Sequence, residues 1–260
     1  MCPNTVPTGN NFNITGKDMK YFTKEWYNDT LVAQMCFQLR KNESAGVFSE
    51  KFFNKLYALE KKTYIKFRKK TAKFERKPID LQAFEAEFDE SYNQNFSFVE
   101  KNLPEEILND VKDIRVLALG SATYEIAGRI TRHCGQITNR CEAVKRKYEE
   151  ASDLAAERMG GRIPPLFAEL VGLPIDSVTQ NDDCVTVITS DKHGDAPNKV
   201  TLKNATVTHI DNGVSGSLVC NYELIAADNE KIEFSMLLMS DDSTLAELTV
   251  IADSVEIEKI

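Results

Sequence analysis

The hydrophobic period of this chain changes once, near residue 180, and that change constrains its fold more than any motif does. Upstream, apolar residues recur every three or four positions, as on one face of a helix. From Asp183 onward the repeat is two: "CVTVITS", "VTLKNATVTHI", "GSLVCNYELIA", "KIEFSMLLM" and "LAELTVIADSVEIEKI" alternate or run apolar and are rich in β-branched residues. Turn-forming clusters at 191–198, 211–213, 228–230 and 241–243 separate them, and Asn212-Gly213 suits a tight hairpin. No helical stretch interrupts these strands, so parallel crossovers are excluded. The expected fold class is α+β: a helical domain over residues 19–178, then an antiparallel β domain over 179–260, as a sandwich or a curled barrel.

The helical part has readable ends. Thr23 can cap a helix carrying Trp26, Leu31, Met35 and Leu39. Ser49 can cap a second, with a seam through Phe53, Leu56, Glu60, Tyr64, Phe67, Thr71 and Phe74, and Asp80 a third, with Leu81, Phe84, Phe88, Tyr92, Phe96 and Val99. Lys77-Pro78 breaks the chain between them, which predicts an antiparallel helical hairpin. Pro104 opens a short helix, "DIRVLALG" reads as a buried one, and a long helix follows from about Ser121 to Met159, stopped by Gly160-Gly161. Residues 1–18, rich in Pro, Asn, Thr and Gly, are expected to be a disordered extension.

Charge is spread unevenly. The chain of 260 residues has a formal net charge of −8, yet residues 178–260 alone hold 15 acidic and 5 basic side chains, a net of −10. That balance makes the C-terminal part a poor ligand for phosphate backbones. No apolar run approaches the ~18–20 residues that span a bilayer, and the N-terminus lacks the regions of a secretory signal. The six cysteines are dispersed and read as reduced thiols of a cytoplasmic protein.

"MKYFTKEWY" (residues 19–27) looks like a protein start, although eighteen residues precede it. Together with "DIRVLALG" and the C-terminal "DDCVTVI", "VTLKNATV" and "LAELTVIADSVEIE", it resembles an uncharacterised bacterial family, mostly from Firmicutes, known only as a domain of unknown function. The resemblance covers residues 19–260, with a departure at 158–180. It implies that residues 1–18 are an upstream extension, and it brings no activity, cofactor or catalytic residue. The last strands loosely resemble β domains of proteins that confer immunity to secreted bacterial toxins.

Of the candidate chemistry, the run "KKTYIKFRKKTAKFERK" (61–77) is sharpest. On a helix, Lys62, Lys66, Lys69, Lys73 and Arg76 lie opposite the Tyr64/Phe67/Phe74 seam, forming a ridge able to hold anions. The seam is expected to use up the aromatics, leaving none to stack on bases. Glu85, Glu87, Asp89 and Glu90 of the next helix are expected to neutralise the ridge, so a solvated outer face is the preferred reading, ahead of nucleic acid and then membrane. His133, Cys134 and Cys141 lack zinc spacing and read as core. Asp182-Asp183 and Asp241-Asp242 lack a calcium-loop pattern and read as turns. No P-loop, dinucleotide fingerprint or nucleophile elbow occurs. No catalytic, metal or cofactor site is nominated. The sequence therefore favours a non-catalytic interaction module whose acidic β domain binds a basic protein partner, as an immunity-type inhibitor would. Nucleic-acid binding through residues 61–77 is the alternative, and an enzyme with an unrecognised site the third.

Overall fold

The computed structural model describes residues 19–181, 183–190 and 198–260. The extension expected at 1–18, Asp182, and most of the turn cluster at 191–198 lie outside them. The helices are α1 (Lys24–Gln34), α2 (Glu50–Phe74), α3 (Leu81–Asn102), α4 (Glu105–Leu108), α5 (Ile114–Ala118) and α6 (Tyr124–Arg158). Two short strands lie among them, β1 (Arg40–Lys41) and β2 (Ser121–Ala122). Eight follow: β3 (Ile175–Asn181), β4 (Cys184–Thr189), β5 (Asn198–Lys203), β6 (Thr206–Ile210), β7 (Leu218–Ala226), β8 (Ile232–Met239), β9 (Leu245–Ala252) and β10 (Ser254–Lys259). The fold is α+β, with two four-stranded antiparallel sheets after the helices.

The described residues divide into two compact units, one of residues 29–140 and one of residues 19–28 with those described from 141 to 260. The change from helix to strand falls at Ile175, close to the expected boundary at 178/179, but the units divide elsewhere. Residues 19–28 and 141–174 belong with the sheets, because a helix face goes wherever its apolar stripe finds cover.

In the 29–140 unit, the oxygens of Ser49 and Asp80 accept from Phe52 N at 3.2 Å and Ala83 N at 3.0 Å, capping α2 and α3. The two helices run antiparallel through stacked aromatic rings. Tyr57 meets Phe88 and Tyr92 edge-on, with centroids 5.2 and 5.1 Å apart, and Tyr64 lies 5.7 Å from Phe88. A core of Val99, Leu103, Ile107, Leu117, Ile130 and Cys134 joins α3 through α6. "DIRVLALG" forms α5, capped by Asp113, whose carboxylate also takes Arg115 Nε at 2.9 Å and Nη2 at 2.8 Å. Arg115 in turn pairs with Glu50 at 2.8 Å and lies over the Phe53 ring at 4.5 Å. The parallel pairing of β1 with β2, two residues each, is absent from the sequence expectation. Elements so short leave no periodicity to detect.

In the other unit the sheets, ordered β10-β5-β4-β3 and β6-β9-β8-β7, share one core. Val185, Val187, Val200 and Leu202 of the first meet Leu224, Phe234, Met236, Leu248 and Val250 of the second. Asn212-Gly213 does not close a hairpin. β6 and β7 are the two edges of their sheet, so the link is a crossover loop in which Gly213 and Gly216 take φ of 84° and 86°. The polar face of the second sheet is covered within this unit. Met19, Tyr21, Phe22, Trp26 and Tyr148 pack on Leu237, Cys220 and Leu245. Tyr148 Oη accepts from Leu224 N at 3.3 Å, and Arg158 reaches the carbonyls of Ala227 and Lys231.

Candidate nucleic-acid interface

The exposed side of α2 differs from its expected form in two ways, and both bear on chemistry. The buried side runs through Phe53, Tyr57, Tyr64, Arg68 and Ala72, of which only Ala72 is fully buried. The expected seam advances by 3.5 residues on average, whereas the helix turns every 3.6, so the pattern drifts by about 20° per heptad off the packed face. By the last turns it has left that face. Phe67 is 64 % and Phe74 is 90 % exposed. Around α3's first turn Phe84 is buried, with the Arg68 guanidinium 5.3 Å from its ring, and in the last turns of α2 the small Ala72 is buried where the expected seam ran through Thr71 and Phe74.

The acids of α3 go elsewhere than expected. Asp89 accepts from Tyr57 Oη at 2.6 Å and Lys61 Nζ at 2.9 Å. Glu87 accepts from Arg68 Nη2 and from Tyr64 Oη, each at 3.2 Å, and Glu90 accepts from Gln94. The Tyr57 hydroxyl first, then Lys61, holds the Asp89 carboxyl below the usual carboxylate range, while burial and the facing Asp89 push Tyr57 up to about 12. These carboxylates thus serve Lys61 and Arg68. Among the described residues, none lies within ion-pair distance of Lys62, Lys66, Lys69, Lys70 or Lys73.

Of the five nominated cations, Lys62, Lys66 and Lys69 come together on the rim of a groove of about 610 Å³. Ala58 and Ile65 form its apolar part, and Lys61 and Glu85 complete it. Lys73 continues the ridge beyond the groove. Arg76 lies past the end of α2 with φ 55°, where the helical projection no longer holds. At 100° per residue, Lys73, Lys66, Lys70, Phe74 and Phe67 succeed one another over an arc of about 120°. The cations and the exposed rings therefore form adjoining stripes on one surface, interleaved along the helix axis in the order Lys66, Phe67, Lys70, Lys73, Phe74. Sequence reasoning missed Lys70, Phe67 and Phe74 as surface residues; the lone small residue at Ala72, one turn from Arg68, was the available signal.

The remaining polar features are internally occupied. A second cavity of about 220 Å³, near the start of α6, is lined by Asp110, Asp113 and Glu125 among others, but Asp110 pairs with Arg129 and Asp113 with Arg115. The charge of the β strands is largely committed too. Glu256, Glu258 and Asp253 pair with Lys203, Lys199 and Lys231, and Asp211 with Lys24. Glu223 and Glu247 are buried, where they accept from the backbone N–H groups of residues 19–22. Asp242 organises a turn with Ser240 and Thr244. Cys134 and Cys141 are buried core residues, and none of the five described cysteines is in a disulfide. Among the described residues no three His, Cys, Asp or Glu side chains gather as a metal site, and no helix is long and apolar enough to cross a membrane.

No protein-family model matches the chain, and no curated protein or solved structure matches it. The chemistry of α2 is read from its own geometry.

Proposed function

We propose that this protein is a non-catalytic binding module that holds single-stranded nucleic acid along α2. The observation that carries the reading is the interleaving of unneutralised lysines with the exposed rings of Phe67 and Phe74. Lysine ammoniums neutralise phosphates, and phenylalanine faces stack on bases that a single strand leaves open. Residues 29–140 hold 19 basic and 16 acidic side chains, a net of +3, against −11 for the rest, so the ridge is the site of local positive excess. The acidic strands offer a basic partner less, because so many of their carboxylates hold lysines or backbone amides within their own unit. A cytoplasmic location and membership of the uncharacterised bacterial family suggested by residues 19–27 belong to this same reading.

Fluorescence anisotropy of a labelled single strand, titrated across salt, tests it. Affinity is expected to fall steeply with salt, and Lys66→Ala or Lys73→Ala to reduce the slope of log K against log salt by about 0.7 each. Phe67→Ala or Phe74→Ala is expected to cost about 1–3 kcal/mol with the slope unchanged. Equal affinity for a duplex of the same length, or no binding at low salt, overturns the proposal. Binding to anionic vesicles without binding to the strand would assign the ridge to membranes instead.

A further inference from the structure

We infer that the groove beside the lysine ridge receives one unstacked base of the bound strand and selects for an exocyclic amine, cytosine over thymine; this rests on the strand-binding reading above. The groove, of about 610 Å³, has the size of a small-molecule site. Lys62, Lys66 and Lys69 on its rim are placed to meet phosphates on either side of the inserted nucleotide, and Ala58 and Ile65 offer an apolar surface to the flat face of the ring. Its single acid is Glu85, which needs a different explanation. A carboxylate among ammoniums works against phosphate binding, so its presence favours a ligand that brings a donor.

Glu85 has acceptor capacity to give. Its side chain is 54 % exposed and its oxygen stands 3.8 Å from Lys61 Nζ, whereas that ammonium lies at 2.9 and 3.0 Å from the two oxygens of Asp89. Lys61 is thus committed mainly to Asp89, and Glu85 faces the groove loosely held. Cytosine presents its N4 amine as a donor at the corner of its pairing edge, the partner that Glu and Asp take in direct base readout. Thymine presents a carbonyl at the same corner, and its one ring N–H is flanked by carbonyls that a carboxylate repels. Glu85 therefore acts as a specificity-determining residue, while the ridge supplies affinity without regard to sequence.

The test compares labelled oligo(dC) and oligo(dT) of equal length with the wild-type chain and with Glu85→Ala, by anisotropy at low salt. Wild type is expected to prefer oligo(dC) by at least about fivefold. Glu85→Ala is expected to lose that ratio and to bind both strands at least as well as before, because an acid has left a cationic surface. A second variant, Glu85→Gln, keeps a carbonyl acceptor and is expected to retain part of the preference. Circular dichroism checks that the variants keep the helical content of the parent. Salt-dependent binding with no preference in the wild type overturns the inference and leaves the ridge reading standing. A preference that survives Glu85→Ala also overturns it. Failure to bind either strand overturns both.

Discussion

Glu223 shows what a single buried charge does in this fold. It is 0 % exposed, and its two oxygens accept from Lys20 N at 3.2 Å, Tyr21 N at 2.8 Å and Phe22 N at 2.6 Å. Glu247 takes Met19 N at 3.0 Å beside it. Four consecutive amides of a non-helical segment thus find acceptors in a sheet face, which answers the requirement that buried N–H groups be paired. Glu223→Ala leaves three donors without acceptors, and chemical denaturation is expected to show a loss of at least about 2 kcal/mol. Hydrogen exchange at residues 20–22 should quicken in the same variant. Burial pushes the Glu223 carboxyl above the ordinary glutamate range, outweighing the three N–H groups that pull it down. A raised folded value means that the folded state holds the proton more tightly than the unfolded chain. The stability from this group is complete below its unfolded value of ~4.3 and is lost as pH rises through the folded value. Removing the charge in Glu223→Gln is expected to flatten that fall, measured as stability against pH from acid to neutral.

At the scale of elements, α2 is where pattern and packing part company. Phe74 belongs to an apolar repeat yet is 90 % exposed, whereas Phe88 on α3 is 8 % exposed and touches Tyr57 and Tyr64. Phe74→Ala is therefore expected to change stability by no more than about 0.5 kcal/mol, and Phe88→Ala to cost about 3–5 kcal/mol. Thermal unfolding of the two variants distinguishes the packing seen here from the seam that spacing alone predicts, under which both would be costly. The caps at Thr23, Ser49 and Asp80 were legible because their cause is local: each accepts from an amide three residues on. The face of α2 was not, since a drift of about 20° per heptad decides it and only the partner helix fixes its origin. The loss of the expected neutralisation has the same kind of cause. Glu87 and Asp89 were correctly placed near the basic run, but which lysine or arginine they meet depends on the helix rotation that brings Arg68 and Lys61 inward.

For the whole molecule, the change of hydrophobic period marks a change of secondary structure but not a unit boundary. Amphipathicity tells which face of a helix needs cover and leaves open which surface supplies it. Residues 141–158 of α6 are as helical as residues 124–140, yet Tyr148 and Arg158 serve the sheet, at Leu224 N and at the carbonyls of Ala227 and Lys231. The groove shared by Glu85 and the ridge lysines was likewise beyond the sequence, since it joins residues of α2 and α3 by fold. A fragment of residues 179–260 would keep the strands of both four-stranded sheets except the first half of β3, but would lose the donors of residues 19–22 to Glu223 and Glu247 and the aromatic cover from Phe22, Trp26 and Tyr148. What the fragment loses is the apolar cover of that face, and a sheet-to-sheet core alone is marginal in a chain of that size. The fragment is expected to lack a cooperative unfolding transition, whereas a chain joining residues 19–28 to residues 141–260 is expected to show one. Denaturant titration followed by circular dichroism checks both; a cooperative transition in the shorter fragment would show that the strap and the end of α6 are accessories to the sheets and not part of their folding unit.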